Sequence, residues 1–263
     1  MTDAPAEEFL DLDGGRVHLL RGGQGEPVLF LHAAGGAGTW LDFHRRLADG
    51  GFDVIAPDHP GFGKSVDFAE VEAMDDLVYH YLDVMDALGL ERPHVVGASF
   101  GGWLAAELAV AAPHRIGSLV LLAPAGLRLP EHPIADLFLM TPEELVAALF
   151  HDPAAGAGML PAEPDVDFIL AQYRDMSALA RFSWTPFLNN PKLARRLGRI
   201  TARTLVVWPT DDNLVPIAHG HRYAERIGGA RYAEVADCGH DMYFERPAEF
   251  AGLVASFLSG ASR

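Results

Sequence analysis

Hydrophobic positions along this chain follow two alternating rhythms. Short apolar runs recur at Val28-Leu29-Phe30-Leu31, Val54-Ile55-Ala56, Val95-Val96, Leu119-Val120-Leu121-Leu122 and Leu205-Val206-Val207-Trp208, with a last strand-like segment at Tyr232-Ala233-Glu234-Val235. A strand that is apolar on successive residues is buried on both faces, as in a parallel sheet covered by helices. Between these runs the spacing becomes helical, as at Leu77, Tyr81, Met85 and Leu88, with Gly89 as a C-cap. Ahead of them, Phe9–Leu12 and Arg16–Leu20 flank Asp13-Gly14-Gly15, a hairpin signal that predicts an antiparallel edge. The alternation predicts an α/β fold with a mostly parallel, doubly wound sheet.

The rhythm breaks between Pro124 and Arg199. Thr141-Pro142-Glu143-Glu144 supplies an N-cap, a proline at the first helical position and acids in the first turn. Phe168, Gln172, Met176 and Leu179 predict a helix from Asp165 to about Phe182, and Asn190-Pro191 opens a short basic helix through Leu197. Residues 151–164 between them are rich in Ala, Gly and Pro. The expected organisation is a core of residues 1–123 and 200–263, with residues 124–199 as a helical lid over the strand ends.

Composition narrows the partners. The 263 residues are 49% hydrophobic, enough for one substantial core. A net charge of −16 repels phosphate backbones and anionic lipid, so neither nucleic acid nor a membrane is expected as partner. The single cysteine, Cys238, excludes an intrachain disulfide and a Cys-rich metal site. The acidic start lacks a basic-then-apolar leader and no apolar run reaches bilayer length, so a soluble cytoplasmic protein is expected. The pattern leaves oligomeric state open.

The candidate chemistry centres on Val95-Val96-Gly97-Ala98-Ser99-Phe100-Gly101-Gly102, a strand, a Gly-x-Ser-x-Gly turn and a helix start. Such a turn lifts the Ser99 hydroxyl above the sheet, with free helix N–H groups pointing at whatever it attacks. A neutral serine needs a base, and the base needs an orienting acid. Of 12 histidines, His240 lies in the loop after the last strand, where it reaches the same sheet edge. The others read as exposed or capping, with His219-Gly220-His221 a solvated helix face and His32 a loop brace. The acid should follow a strand between the two. Asp212, four residues before Pro216, is favoured over its neighbour Asp211, a turn residue; Asp237 and Asp241 flank His240 too closely. Oxyanion donors are expected from the N–H of Phe100 and from Ala34 in the loop after Leu31. Gly63-Lys64-Ser65 lacks the earlier glycine of a P-loop, and Gly61-Phe62-Gly63 lacks the third glycine of a dinucleotide fingerprint. No metal or organic cofactor is expected, and activity should rise as His240 loses its proton near the ordinary value of ~6.5.

Together these motifs resemble the α/β-hydrolase superfamily nearly end to end outside the lid. The resemblance includes Leu31-His32, Asp58-His59-Pro60-Gly61-Phe62-Gly63-Lys64-Ser65, the elbow, Val215-Pro216, and Gly239-His240 with Glu245-Arg246-Pro247 behind it. It implies a Ser99–Asp212–His240 triad. Ala33 and Pro209 stand where the family usually has glycine. Apolar residues of the lid region (Met140, Met159, Trp184, Phe187), with Trp40 and Val215, suggest a pocket for a small or medium hydrophobic ester, cleaved through an acyl-enzyme. The segment Leu122-Ala123-Pro124-Ala125-Gly126-Leu127 also resembles hydrolases that cleave carbon–carbon bonds in ring-fission dienones. Those usually carry Trp after the histidine, where this chain has Asp241, which places that reading second. A cofactor-free perhydrolase and a triad-retaining ligand receptor are further alternatives; a haloalkane dehalogenase would need Asp at Ser99.

Overall fold

The computed structural model describes residues 4–156, 163 and 165–260. Its strands are β1 (Ala6–Leu12), β2 (Gly15–Gly23), β3 (Glu26–Leu31), β4 (Phe52–Pro57), β5 (His94–Ala98), β6 (Ser118–Leu122), β7 (Arg203–Pro209) and β8 (Arg231–Val235). They form one eight-stranded sheet in the order β1-β2-β4-β3-β5-β6-β7-β8. The β1–β2 hairpin turns at Asp13-Gly14, where Gly14 has a φ of +88°, and β2 runs antiparallel to β4. All other pairings are parallel. The predicted edge hairpin and parallel centre are therefore both present, and every residue of β6 is buried.

The helices are α1 (Asp42–Asp49), α2 (Met74–Ala87), α3 (Ser99–Ala111), α4 (Pro142–Leu149), α5 (Pro153–Gly156), α6 (Val166–Ser183), α7 (Leu193–Arg196), α8 (Ala218–Arg226), α9 (Met242–Glu245) and α10 (Pro247–Leu258). α4 starts as its sequence demands: Thr141 Oγ1 accepts from the Glu144 N–H, and the Glu144 carboxylate accepts from the Thr141 N–H. The basic helix expected through Leu197 is shorter, with α7 ending at Arg196 in a tighter turn. Helices α4 to α7 lie in the insert between β6 and β7. Met159 lies outside the described residues. Among the described residues no helix is long and apolar enough to cross a membrane.

In a parallel sheet the loops leaving neighbouring strands emerge on one edge. The loops after β3, β5, β7 and β8 carry Ala34, Ser99, Asp212 and His240. Topology thus brings residues from four distant parts of the sequence to the same end of the fold.

Candidate active site

Ser99 occupies the turn from β5 into α3 with a φ of +51°. A non-glycine residue there carries about 1–3 kcal/mol of backbone strain. Two glycines make the turn possible. A Cβ on Gly97 would stand 2.4 Å from the Gly101 carbonyl oxygen, and one on Gly101 would stand 2.2 Å from the Leu31 oxygen and 2.4 Å from the His32 oxygen. The end of β3 therefore lies directly against the first turn of α3, which carries the oxyanion-loop candidate toward Ser99.

That loop is held from beneath by buried histidines. The His59 N–H donates to His32 Nε2 at 3.0 Å, which leaves the proton on His32 Nδ1 to donate to the Ala33 oxygen at 2.6 Å. His59 Nε2 donates to the His32 oxygen at 3.0 Å, and Tyr81 Oη donates to His59 Nδ1 at 2.5 Å. His32 is the brace its position suggested. Asp58 secures the next turn, accepting from the N–H groups of Gly38 and Lys64 and from His18. Ala33, at the usual glycine position, is buried and avoids the left-handed region, so its methyl group is accommodated. The Ala34 N–H has no hydrogen-bond partner among the described residues.

The adjacent aspartates separate cleanly. Asp212 Oδ1 accepts from the N–H groups of Leu214 at 2.9 Å and Val215 at 2.7 Å, and Oδ2 faces His240 Nδ1 at 2.7 Å. Both side chains are almost wholly buried. Asp211 turns outward to His151 Nδ1 at 2.6 Å. The carboxylate fixes the His240 proton on Nδ1, leaving the Nε2 lone pair free. Nε2 is buried and has no hydrogen-bond partner among the described residues. Burial opposes the His240 imidazolium, but the Asp212 charge and hydrogen bond, with help from Asp241, outweigh it and raise the pKa above 6.5. This corrects the expectation of an ordinary value.

Asp241 joins this loop to the insert: its N–H donates to the Leu149 oxygen at 3.0 Å. Burial lifts its carboxyl to about 6, against the pull of His240 and with the push of Asp212 and Glu245. Glu245 is a clamp that sequence reasoning met only as part of a family motif. Its carboxylate accepts from the N–H groups of Gly239 (2.9 Å), His151 (3.3 Å) and Asp152 (3.1 Å), tying the insert to the histidine loop.

Several other histidines depart from expectation. His18, His59, His80 and His219 are buried rather than exposed, whereas buried His44 does cap α1, its Nδ1 accepting from the Leu41 N–H at 3.1 Å. His219 packs inward and its Nε2 donates to the His132 oxygen at 2.8 Å; only His221 keeps the solvated role, beside Glu234. The signal missed was tertiary: a Cβ on the intervening Gly220 would meet the Trp208 ring at 2.5 Å, so this helix face is pressed onto β7.

The pocket residues divide. Trp184 and Phe187 both pack against Phe138, with Trp184 still 62% exposed, and Met140 is half-buried. Trp40 packs against His44 and covers Gly22. Val215 is committed to the acid turn, its oxygen accepting from Trp208 Nε1 at 3.2 Å. His151, Asp211 and Asp237 bring ligating atoms within 4.8 Å of one another and have the donor set for a divalent cation. They lie on the outer surface, where the His151–Asp211 hydrogen bond already accounts for their approach.

A strained serine on a strand-to-helix turn and a histidine held by a buried carboxylate thus lie in loops that leave the same end of the sheet. The alpha/beta hydrolase family model matches residues 28–253. This chain belongs to the alpha/beta hydrolase family. It is a hydrolase of that fold. The chain is 34% identical to a 2-hydroxy-6-oxo-6-phenylhexa-2,4-dienoate hydrolase of Comamonas testosteroni, over 94% of this chain and 93% of the relative. It is 32% identical to a 2-hydroxy-6-oxononadienedioate/2-hydroxy-6-oxononatrienedioate hydrolase of the same organism, over 93% and 91%. The structure of the phenylhexadienoate hydrolase of Rhodococcus sp. strain RHA1 superposes with a TM-score of 0.80 at 25% identity, covering 99% of this chain and 100% of that one. These findings overturn the ester expectation. The weight given to Asp241, one residue after the histidine, was outmatched by similarity along the whole chain to hydrolases of dienoates.

Proposed function

We propose that this protein hydrolyses a carbon–carbon bond in a 2-hydroxy-6-oxo-2,4-dienoate. The observation that carries the reading is end-to-end similarity to relatives whose substrates differ at C6 but share that core. The site supplies matching chemistry. Breaking the C5–C6 bond expels a carbon leaving group, and a vinyl carbanion is too basic to leave. Moving the 2-hydroxyl proton to C5 converts the substrate to its 2-oxo form. The departing electron pair then spreads from C5 through C3–C4 to the C2 oxygen as a dienolate.

In this scheme Ser99 Oγ attacks C6 as His240 Nε2 takes its proton. The N–H groups of Phe100 and Ala34 hold the oxyanion. Collapse releases the dienolate, whose oxygen takes the proton held on His240 Nε2 to give a 2-hydroxydienoate, and leaves an acyl group on Ser99. His240 then draws a proton from water, which attacks the acyl carbon and frees the carboxylic acid. Asp212 keeps the Nε2 lone pair facing the serine. The insert, fastened to the histidine loop through Asp241 and Glu245, acts as the lid that excludes bulk water.

The test is loss of the dienone chromophore with equimolar release of a carboxylic acid, using substrates with phenyl, alkyl and carboxyalkyl groups at C6. Ser99→Ala and His240→Ala should each lower kcat by about 10³-fold or more. Undiminished turnover in Ser99→Ala, or no dienone consumed by an enzyme that turns over esters, would remove the proposal.

A further inference from the structure

We propose that the protein carries a second binding site, for an aromatic carboxylate, in a cleft that Ser99, Asp212 and His240 do not line. This cleft has a volume of about 630 Å³ and lies between α2, α3 and the part of the insert from the end of α6 through α7. Its size falls in the range of small-molecule sites.

The wall is divided by chemistry. Met74, Val78, Trp103 and Phe182, none more than 8% exposed, form its apolar floor together with Pro186. Lys192, Arg196 and Arg199 line it too, with Arg181, which is paired with Asp67, and with Asp75 and Glu107. Such an excess of cations runs counter to a chain of net charge −16. Glu107 is already engaged, with Oε1 accepting from Trp103 Nε1 at 3.0 Å and from Asn190 Nδ2 at 2.8 Å. The side chains of Lys192, Arg196 and Arg199 have no ion pair or hydrogen bond among the described residues. Lys192 and Arg196 belong to the basic segment seen in the sequence and Arg199 to the tighter turn after it, and the proposed hydrolysis makes no use of them.

The Arg181 guanidinium, already paired with Asp67, lies 4.6 Å over the Phe182 ring and closes one end of the cleft. A flat aromatic body would occupy the apolar face formed with Trp103, leaving its charge toward Arg196 and Arg199. An anion with a ring fits both halves of the wall; a bare inorganic anion fits only one.

The experiment measures 2-naphthoate binding by calorimetry at low and high salt, with 2-naphthylmethanol as the neutral counterpart. It compares wild type, Ser99→Ala and an Arg196→Glu/Arg199→Glu variant. The site predicts binding in the first two, at least 10-fold weaker binding in the charge-reversed variant, 10-fold weaker binding of the alcohol, and weakening with salt. Both arginines are exposed, so the variant should keep its thermal midpoint. A Trp103→Phe variant should change the fluorescence response to the ligand. Equal binding by the charge-reversed variant, equal binding of the alcohol, or no binding at millimolar ligand would overturn the proposal. Because no arm reads catalysis, failure of dienoate turnover leaves this site standing, and failure here leaves the proposed reaction standing.

Discussion

At the residue scale, the decisive relation is between Asp212 and His240. Two main-chain donors and one imidazole use both carboxylate oxygens, so the acid holds a fixed geometry and the proton sits on Nδ1. Burial by itself would keep the imidazole neutral, yet the carboxylate reverses that and lifts the His240 pKa. Under the proposed mechanism only neutral His240 accepts the serine proton. Activity should therefore fall as pH drops through a value above ~6.5, the ordinary histidine pKa. Asp212→Asn should move that limb to lower pH, because burial then dominates, and should lower kcat by about 10⁴-fold through the wrong tautomer. The profile of kcat/KM against pH checks both; a wild-type limb at or below 6.5 would deny Asp212 this influence. The choice between Asp211 and Asp212 was readable from spacing, because a turn returning to Pro216 presents one of them inward. The burial of His219 was not readable, because it depends on Trp208 lying behind Gly220.

At the element scale, the insert and the histidine loop form one mechanical unit. A Cβ on Gly239 would stand 2.5 Å from both the Leu149 oxygen and the His151 nitrogen, so the end of α4 rests on the residue before His240. Gly239→Ala should destabilise the protein by about 1–3 kcal/mol through overpacking. It should also lower kcat/KM more than a surface change of equal stability cost, since the displaced loop carries His240, the base of the proposed mechanism. Gly252→Ala on α10 is the control. No atom lies within 4 Å of its added Cβ, and replacing a helical glycine should stabilise by about 0.5–1 kcal/mol. Urea midpoints and steady-state kinetics on the pair separate loop displacement from general loss of stability. Equal activity per folded molecule in Gly239→Ala and wild type would break the link between insert and base. The starts of α4 and α6 were legible because their caps are local, with Thr141 and Asp165 each accepting from an N–H of their first turn. Where those helices dock was not, since docking depends on backbone atoms of β-sheet loops far away in sequence.

At the scale of the whole molecule, a layer of neutral histidines supports the loops beside the sheet. Burial depresses the pKa of His32 and His59, takes His44 to about 3 and His80 to about 4. The unfolded chain binds protons at these positions below ~6.5 while the folded chain does not, so this contribution to stability is full above 6.5 and is lost as pH falls. Each such histidine should cost about 1.4 kcal/mol per pH unit below ~6.5 until its folded pKa is reached. Urea unfolding between pH 7 and pH 5 should show this steep loss, and His44→Phe should reduce its slope; a flat dependence would refute it. The sequence by itself determined the buried strands through their apolar runs, the strand-to-helix turn that holds Ser99, and the strand-end loops that carry Asp212 and His240. These signals are local, or follow from which strand end a loop must leave. Tertiary structure alone decided which histidines are buried, that Glu245 and Asp241 fasten the insert, and that the basic helix borders a cleft. Those depend on surfaces meeting across long chain separations, where a single missing Cβ or one aromatic ring settles the approach and no periodicity records it.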